Sequence, residues 1–177
     1  MKHFVLGGAR SGKSRYAQQW AEDSKQDVIY IATAQAGDDE MRLRIEKHQQ
    51  QRPPHWLLVE EPIHLADALL AHDAANRVLL VDCLTLWLSN LLGENNNRLL
   101  ADECEKLFST LPALQCDVLL VSNEVGQGVV PVNALARQFI DEAGWLHQRL
   151  AALCDRVSFV VAGLPQTIKD TTQVNKK

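Results

Sequence analysis

Short apolar runs alternate along the chain with longer segments in which apolar residues recur at helical spacing. The apolar runs lie at residues 4–6, 28–32, 56–59, 78–81, 118–121 and 157–161. Helical patterns lie at residues 14–21, 39–49, 65–72, 84–92, 99–111 and 133–153. Because strands that alternate with helices pair in parallel, this order predicts an α/β fold whose largely parallel sheet is flanked by helices.

The length of the chain suits one domain. Its 177 residues are 46% hydrophobic, which is ample for one core. We therefore predict a single domain over residues 1–165. Residues 166–177 form a polar tail without apolar periodicity, and we expect this tail to be flexible.

Charge and cysteine content narrow the possible partners. The net charge of −4 provides no basic surface for nucleic acid, so we expect none as a partner. Four scattered cysteines without a C-x-x-C pair argue against zinc, a redox motif or a secreted disulfide framework. No apolar run approaches the roughly 18 residues of a membrane span, and the first strand leaves no room for a signal peptide. We expect a cytoplasmic protein.

Residues 7–14 read G-G-A-R-S-G-K-S and match the phosphate-binding loop pattern G-x-x-x-x-G-K-[ST]. The matching residues are Gly7, Gly8, Ala9, Arg10, Ser11, Gly12, Lys13 and Ser14. A predicted strand precedes them and a predicted helix follows, so that N–H groups at the helix N-terminus can surround a phosphate. Lys13 would reach the β- and γ-phosphates, and the Ser14 hydroxyl would hold Mg²⁺. The alternative is a glycine-rich turn that matches by chance.

Asp82 directly follows the apolar run at residues 78–81. A carboxylate at the end of such a strand can reach a Mg²⁺-bound water beside the phosphate loop, although apolar strands that end in Asp are also common structural features. Downstream of a matched loop the metal site is favoured, and Asp82 is our Mg²⁺ candidate.

His48 lies on the inward stripe of the predicted helix at residues 39–49, with Met41 and Ile45. A neutral imidazole can act as base, ligand or nucleophile at pH 7. A histidine bonded to carbonyls at the end of a helix is the alternative, which composition alone favours. The other histidines show no metal-ligand spacing, and we interpret them as structural or surface residues: His3, His55, His64, His72 and His147.

Acidic residues also follow two other predicted strands. Glu124 lies in the turn-rich segment S-N-E-V-G-Q-G-V-V-P at residues 122–131. The carboxyl ends of parallel strands line the ligand crevice of such sheets, so Glu124 could meet substrate or metal. It could equally cap a loop that needs glycine. Glu60 and Glu61, after the third predicted strand, have the same two interpretations with less weight.

Two longer motifs accompany the phosphate loop in order. They are D-D-E-M-R-L-R-I-E-K-H-Q-Q-Q-R-P-P-H-W at residues 38–56 and the segment at residues 122–131. With N-A-L-A-R-Q-F at 133–139, Q-R-L-A at 148–151 and V-V-A-G-L-P at 160–165, the chain resembles a known family over nearly its whole length except the tail. This family comprises the bifunctional adenosylcobinamide kinases and adenosylcobinamide-phosphate guanylyltransferases of cobalamin synthesis.

The resemblance implies a P-loop enzyme that phosphorylates the aminopropanol hydroxyl of adenosylcobinamide with ATP or GTP. It then transfers GMP from GTP to that phosphate and releases pyrophosphate. The family uses a covalent guanylyl-histidine, and its R-I-x-x-H pattern matches Arg44, Ile45 and His48. The nucleotide or metal contacts implied in the same way are Thr33, Ala34, Gln49, Gln50, Gln51, Arg52, Glu60 and Asp82.

The same resemblance implies Mg²⁺ with ATP or GTP, no tightly bound prosthetic group, and a homotrimer. Two residues depart from the family pattern: Val132 stands where an acid is expected, and His147 where asparagine is expected. These departures put in doubt the details of corrinoid binding or of subunit contacts that the resemblance implies. A kinase with one activity is the rival enzyme and would need no nucleophilic histidine. A nucleotide-regulated switch is the rival from another class, although the chain has no N-K-x-D guanine signature. The base for the substrate hydroxyl stays open.

Overall fold

The structure, a computed structural model, describes residues 1–35, 37, 39, 42–43 and 52–172. Its strands are β1 (Lys2–Gly7), β2 (Asp27–Ala32), β3 (Leu57–Glu60), β4 (Arg77–Asp82), β5 (Asp117–Asn123), β6 (Arg156–Val161) and β7 (Leu164–Asp170). Its helices are α1 (Lys13–Asp23), α2 (Leu65–Ala71), α3 (Leu84–Gly93), α4 (Asn97–Thr110) and α5 (Ala134–Leu153), with a 3₁₀ turn at Leu111–Ala113.

The strands form one seven-stranded sheet in the order β3-β2-β4-β5-β1-β6-β7. All neighbouring pairs are parallel except β6 and β7, which are antiparallel. The predicted α/β fold with a largely parallel sheet is therefore confirmed. Because β1, β4 and β5 are adjacent and parallel, the residues that follow them meet at one edge of the sheet.

Both faces of the sheet are buried, which explains why the central strands are continuously apolar rather than alternating. One face packs against α1 through Ala17 and Ala21. The other face carries the larger core, to which α2, α3, α4 and α5 all contribute. Trp87 of α3 is fully buried there, and its indole N–H donates to the carbonyl of Ile63 at 2.8 Å.

The prediction of a flexible tail from residue 166 differs from the structure, because β7 extends to Asp170. A two-residue turn joins β6 to β7, with φ of 51° at Ala162 and 80° at Gly163. Two positive φ angles in succession give the backbone twist that a tight hairpin needs. Leu164 and Ile168 are exposed on this edge strand, so its sequence lacks the alternation that marks a half-buried strand.

Most of the predicted helix at residues 39–49 lies outside the described residues; Asp39, Arg42 and Leu43 are helical. The other five predicted helices are present within one or two residues of their expected bounds. No helix in the described ranges is both long and apolar enough to cross a membrane.

Candidate nucleotide-binding site

The phosphate loop connects the end of β1 at Gly7 to the start of α1 at Lys13. Gly12 has a φ of 95°, a left-handed conformation that side chains other than glycine rarely adopt. A Cβ on Gly7 would lie 2.5 Å from Ser11 Oγ and 2.6 Å from the carbonyl oxygen of Val160. The loop therefore needs glycine at both positions, for backbone conformation at one and for close packing at the other.

The N-terminus of α1 is available to an anion. Gly12 precedes this helix and offers no side chain to cap it, whereas Asn96 and Asn133 accept N–H groups at the starts of α4 and α5. Free N–H groups and the helix dipole together favour bound phosphate. Ser11 Oγ is also buried without a hydrogen-bond partner among the residues that the structure describes. These features fit a phosphate better than a turn that matches the motif by chance.

Lys13 is buried, and its Nζ donates to the carbonyl of Gly8 at 3.2 Å. Burial lowers the pKa of Lys13, while electrostatic interactions with Cys83 and Asp82 act in the opposite direction. The ammonium group is thus held across the loop and lies within electrostatic reach of Asp82.

The β6–β7 turn supports this loop directly. The N–H of Gly163 donates to the carbonyl of Ser11 at 2.7 Å. A Cβ on Gly12 would come within 3.1 Å of the Gly163 Cα. The region just before the expected flexible tail is consequently part of the wall of the site.

Asp82 ends β4 beside the loop, as the sequence predicts. The Tyr30 hydroxyl of β2 donates to Asp82 Oδ2 at 3.0 Å, and the Arg52 guanidinium lies 4.5 Å from the centre of the Tyr30 ring. Burial raises the pKa of Tyr30, and Asp82 raises it further, so Tyr30 remains a donor. Tyr30 thereby orients a half-buried carboxylate and connects it with Arg52.

Thr33 and Ala34 follow β2 at the same edge. The Thr33 hydroxyl donates to the carbonyl of Cys83 at 2.7 Å, and its oxygen accepts the Cys83 N–H at 3.0 Å. Asn90 donates to the carbonyl of Thr33 at 2.8 Å. These bonds fix the backbone beside Asp82, whereas Glu60 at the end of β3 is exposed.

Glu124 follows β5, and its N–H donates to the carbonyl of Gly7 at 3.1 Å. Its carboxylate accepts the Gly126 N–H at 2.6 Å, and Oε2 lies 3.7 Å from His147 Nδ1.

His147 Nε2 lies 2.9 Å from Ser122 Oγ, which in turn lies 3.2 Å from Thr85 Oγ1. His147 is therefore a buried part of the sheet edge. It belongs to the inward stripe of α5 with Ala143, Leu146 and Leu150, a spacing that the sequence already displays.

The structure brings together the phosphate loop, Thr33, Ala34, Arg52, Glu60, Asp82 and Glu124 at the carboxyl edge of five adjacent strands. The proposed nucleophile His48 lies outside the described residues, as do Gln49, Gln50 and Gln51. Tyr30 was missed by the sequence analysis, and no signal other than a hydroxyl within an apolar strand could have indicated it.

Within the described part of the chain, no group of three or more His, Cys, Asp or Glu side chains is arranged to hold a metal ion. Mg²⁺ at a phosphate loop does not need such a group, because substrate phosphates and waters supply most of its ligands. Ser14 and Asp82 are both half-buried and carry the oxygen donors that Mg²⁺ prefers. These two residues fit the ion.

The fold and the loop together define a P-loop protein of the α/β class. Two solved structures share this fold. The RadB recombinase has a TM-score of 0.53 at 18% identity, over 89% of this chain and 73% of that one. The PH0250 protein from Pyrococcus horikoshii has a TM-score of 0.58 at 9% identity, over 97% and 87%. At such identities the likeness is one of fold alone.

Sequence comparison identifies the family. The model of the family described as cobinamide kinase / cobinamide phosphate guanyltransferase matches residues 3–168. The chain is 54% identical to the bifunctional adenosylcobalamin biosynthesis protein CobP of Pseudomonas aeruginosa, over 96% of this chain and 98% of that one. It is 43% identical to the protein CobU of Salmonella typhimurium, named in the same way, over 96% and 100%. The chain belongs to this family of enzymes, and the resemblance found in the sequence is confirmed.

Proposed function

We propose that the protein phosphorylates adenosylcobinamide with ATP or GTP and then transfers GMP from GTP to the product, which gives adenosylcobinamide-GDP and pyrophosphate. One observation carries the proposal: the family match spans residues 3–168 and so includes the loop, the acidic sheet edge and His48 in one chain. The two rivals, a kinase with one activity and a nucleotide-regulated switch, lack such support.

The first step needs positioning and charge more than covalent chemistry. The uncapped N-terminus of α1 and Lys13 supply positive charge for the triphosphate, and the loop holds it in place. Ser14 and Asp82 would hold Mg²⁺, which when bound supplies further neutralisation of phosphate charge. We assign Thr33, Ala34, Arg52 and Glu60, at the same edge of the sheet, to contacts with the guanine nucleotide or the metal.

The second step differs because the attacked phosphorus is the α-phosphorus, so a second nucleophile is needed. We assign this role to His48, with Gln49, Gln50 and Gln51 beside the nucleotide. A covalent intermediate divides the transfer in two and lets pyrophosphate leave before the bulky corrinoid phosphate reacts. By the same family relationship we propose a cytoplasmic homotrimer that binds neither nucleic acid nor a tightly held prosthetic group.

The substitution His48→Asn tests the proposal. Labelling by α-labelled GTP should be lost, whereas phosphorylation of adenosylcobinamide should stay within about threefold of wild type, because the first step uses no imidazole nucleophile. The wild-type label should be acid-labile and stable to alkali, as expected for a phosphorus–nitrogen bond. His55→Asn is the matched control, since His55 is exposed.

Labelling that survives His48→Asn would show that another residue carries GMP. Equal loss of both activities would instead place His48 in general nucleotide binding or in structure. A wild-type protein that phosphorylates adenosylcobinamide but never becomes labelled would favour the kinase with one activity. Hydrolysis without any acceptor would favour the switch.

A further inference from the structure

The two acceptors of the proposed reactions differ in their need for a base. A substrate hydroxyl must lose a proton when it attacks the γ-phosphorus. A phosphate monoester, with a second pKa of about 6, is already largely ionised at pH 7. A group that accepts the hydroxyl proton therefore serves the kinase step and is not needed for GMP transfer.

Glu124 has the position that such a base requires. It is the first residue after β5, which lies between β1 and β4 in the sheet. Its N–H donates to the carbonyl of Gly7 at 3.1 Å, so it adjoins the phosphate loop on one side. On the other side β5 pairs with β4, with Val121 opposite Asp82. The side chain of Glu124 is 21% exposed, which leaves it accessible from the crevice.

The neighbours of the two His147 nitrogens favour one tautomer. Nε2 lies 2.9 Å from Ser122 Oγ, a hydroxyl that can donate to it, and Ser122 Oγ lies 3.2 Å from Thr85 Oγ1. Nδ1 faces the Glu124 carboxylate, which only accepts hydrogen bonds when it is ionised. The tautomer that carries its proton on Nδ1 fits both neighbours.

Two neutral groups in the described part of the chain lie against the Glu124 carboxylate. Nδ1 lies 3.7 Å from Glu124 Oε2, a contact longer than a hydrogen bond, while the Gly126 N–H holds Oε1 at 2.6 Å. Burial lowers the pKa of His147, against the opposing effect of Glu124, so the imidazole stays neutral near pH 7. The carboxylate is thus held by neutral neighbours beside the phosphate loop.

We propose that Glu124 is the base of the kinase step and that His147 is its positioning residue; this inference rests on the proposed function. The substrate hydroxyl oxygen forms a bond to the γ-phosphorus. The bond from this phosphorus to the β–γ bridging oxygen breaks, and its electron pair leaves with the nucleoside diphosphate. The hydroxyl proton moves to the Glu124 carboxylate.

The test uses Glu124→Gln and measures the two reactions separately. Phosphorylation of adenosylcobinamide should fall at least about 100-fold in kcat, the lower range for loss of a positioned base. GMP transfer to supplied adenosylcobinamide phosphate should stay within about threefold of wild type, because that acceptor brings no proton to remove. Glu94→Gln, at an exposed loop residue, is the matched control and should leave both rates unchanged.

Equal losses in the two reactions, or an unchanged kinase rate, would overturn the role of Glu124. Both outcomes are distinct from failure of the proposed function, in which wild-type protein itself would lack one or both activities. If the wild-type protein lacks an activity, the proposed substrates are wrong, whatever result Glu124→Gln gives.

His147 has its own test. His147→Phe keeps a ring but removes Nδ1–H, and should lower the kinase kcat roughly 10-fold to 100-fold with little change in KM, as expected for a misplaced reacting group. His147→Gln, whose amide can still donate, should recover part of that loss. If both variants depress kinase and GMP transfer alike, His147 is only structural and its positioning role is wrong.

Discussion

The two ends of the parallel sheet use the same residue types for different purposes. At the amino end, Lys2 donates to the carbonyls of Leu114 and Cys116 at 2.9 and 2.8 Å. At the carboxyl end, Lys13 lies across the phosphate loop. The lysine at the amino end satisfies carbonyl groups of the chain itself. The lysine at the carboxyl end lies beside N–H groups at the start of α1, for which the described residues provide no side-chain cap.

The histidines and aspartates follow the same division. His3 Nε2 and His147 Nε2 each lie 2.9 Å from a serine hydroxyl, Ser158 and Ser122 respectively. The second nitrogen of His3 has no hydrogen-bond partner among the described residues, whereas that of His147 faces Glu124. Asp117 holds the N-terminal amine, whereas Asp82 adjoins the loop. Position in the sheet, more than residue type, separates structural groups from those available for chemistry.

The largest contrast is expected between the two lysines. Lys13→Ala should slow both half-reactions about 100-fold or more, close to 3 kcal/mol, because one loop holds the triphosphate for both. Its free energy of unfolding should change little. Lys2→Ala should do the reverse, with lower stability in urea denaturation and unchanged rates. Full GMP transfer in Lys13→Ala would show that the two reactions do not share this loop.

The second contrast concerns acid stability. Burial lowers the pKa of His3 from 6.5 to about 4, with help from Arg156 and against Asp170. Above pH 6.5 His3 is neutral in both folded and unfolded protein. As the pH falls from 6.5 to 4, His3 becomes protonated in the unfolded chain but stays neutral in the folded protein. This difference lowers the free energy of unfolding by up to about 3 kcal/mol. Below pH 4 His3 is protonated in both states, so its contribution to the loss of stability grows no further.

The variant His3→Gln removes this titration and keeps an amide that can bond Ser158. Its free energy of unfolding in urea should therefore depend less on pH between 6.5 and 4 than that of wild type. Its kinase and transferase rates at pH 7 should match wild type, because His3 is remote from the carboxyl edge. An unchanged pH slope would show that other groups dominate acid unfolding.

These contrasts also explain what the sequence could predict. Six strands were predicted because each contains a short apolar run, which in β1, β2, β4 and β5 is buried on both faces. The phosphate loop was predicted because all its residues are contiguous. Strand β7 was missed because it depends on a tight turn at Ala162 and Gly163 rather than on apolar alternation. The flexible tail expected from residue 166 is wrong as far as Asp170 for the same reason.

The contacts that orient the site could not be predicted. Tyr30 and Asp82 are 52 residues apart in the chain, and Ser122 and His147 are 25 apart. Such pairs form only when the order of strands in the sheet is known, which a single sequence does not specify. The sequence favours a structural or surface role for His147, and the structure buries its side chain beside Glu124, a contact that the sequence does not reveal. The roles of His48 and its neighbours stay predictions.

The smallest contrast is expected between the two aspartates. Asp82→Asn keeps the volume of the side chain and an oxygen that can accept from Tyr30, but removes the charge that favours Mg²⁺. The Mg²⁺ concentration for half-maximal kinase activity should rise roughly 10-fold. In Asp117→Asn the Mg²⁺ requirement should stay at the wild-type value, and stability should fall by about 1 kcal/mol or less through the weakened bond to the N-terminal amine. An unchanged Mg²⁺ requirement in Asp82→Asn would remove Asp82 from the metal site and make its role structural, like that of its counterpart at the amino end.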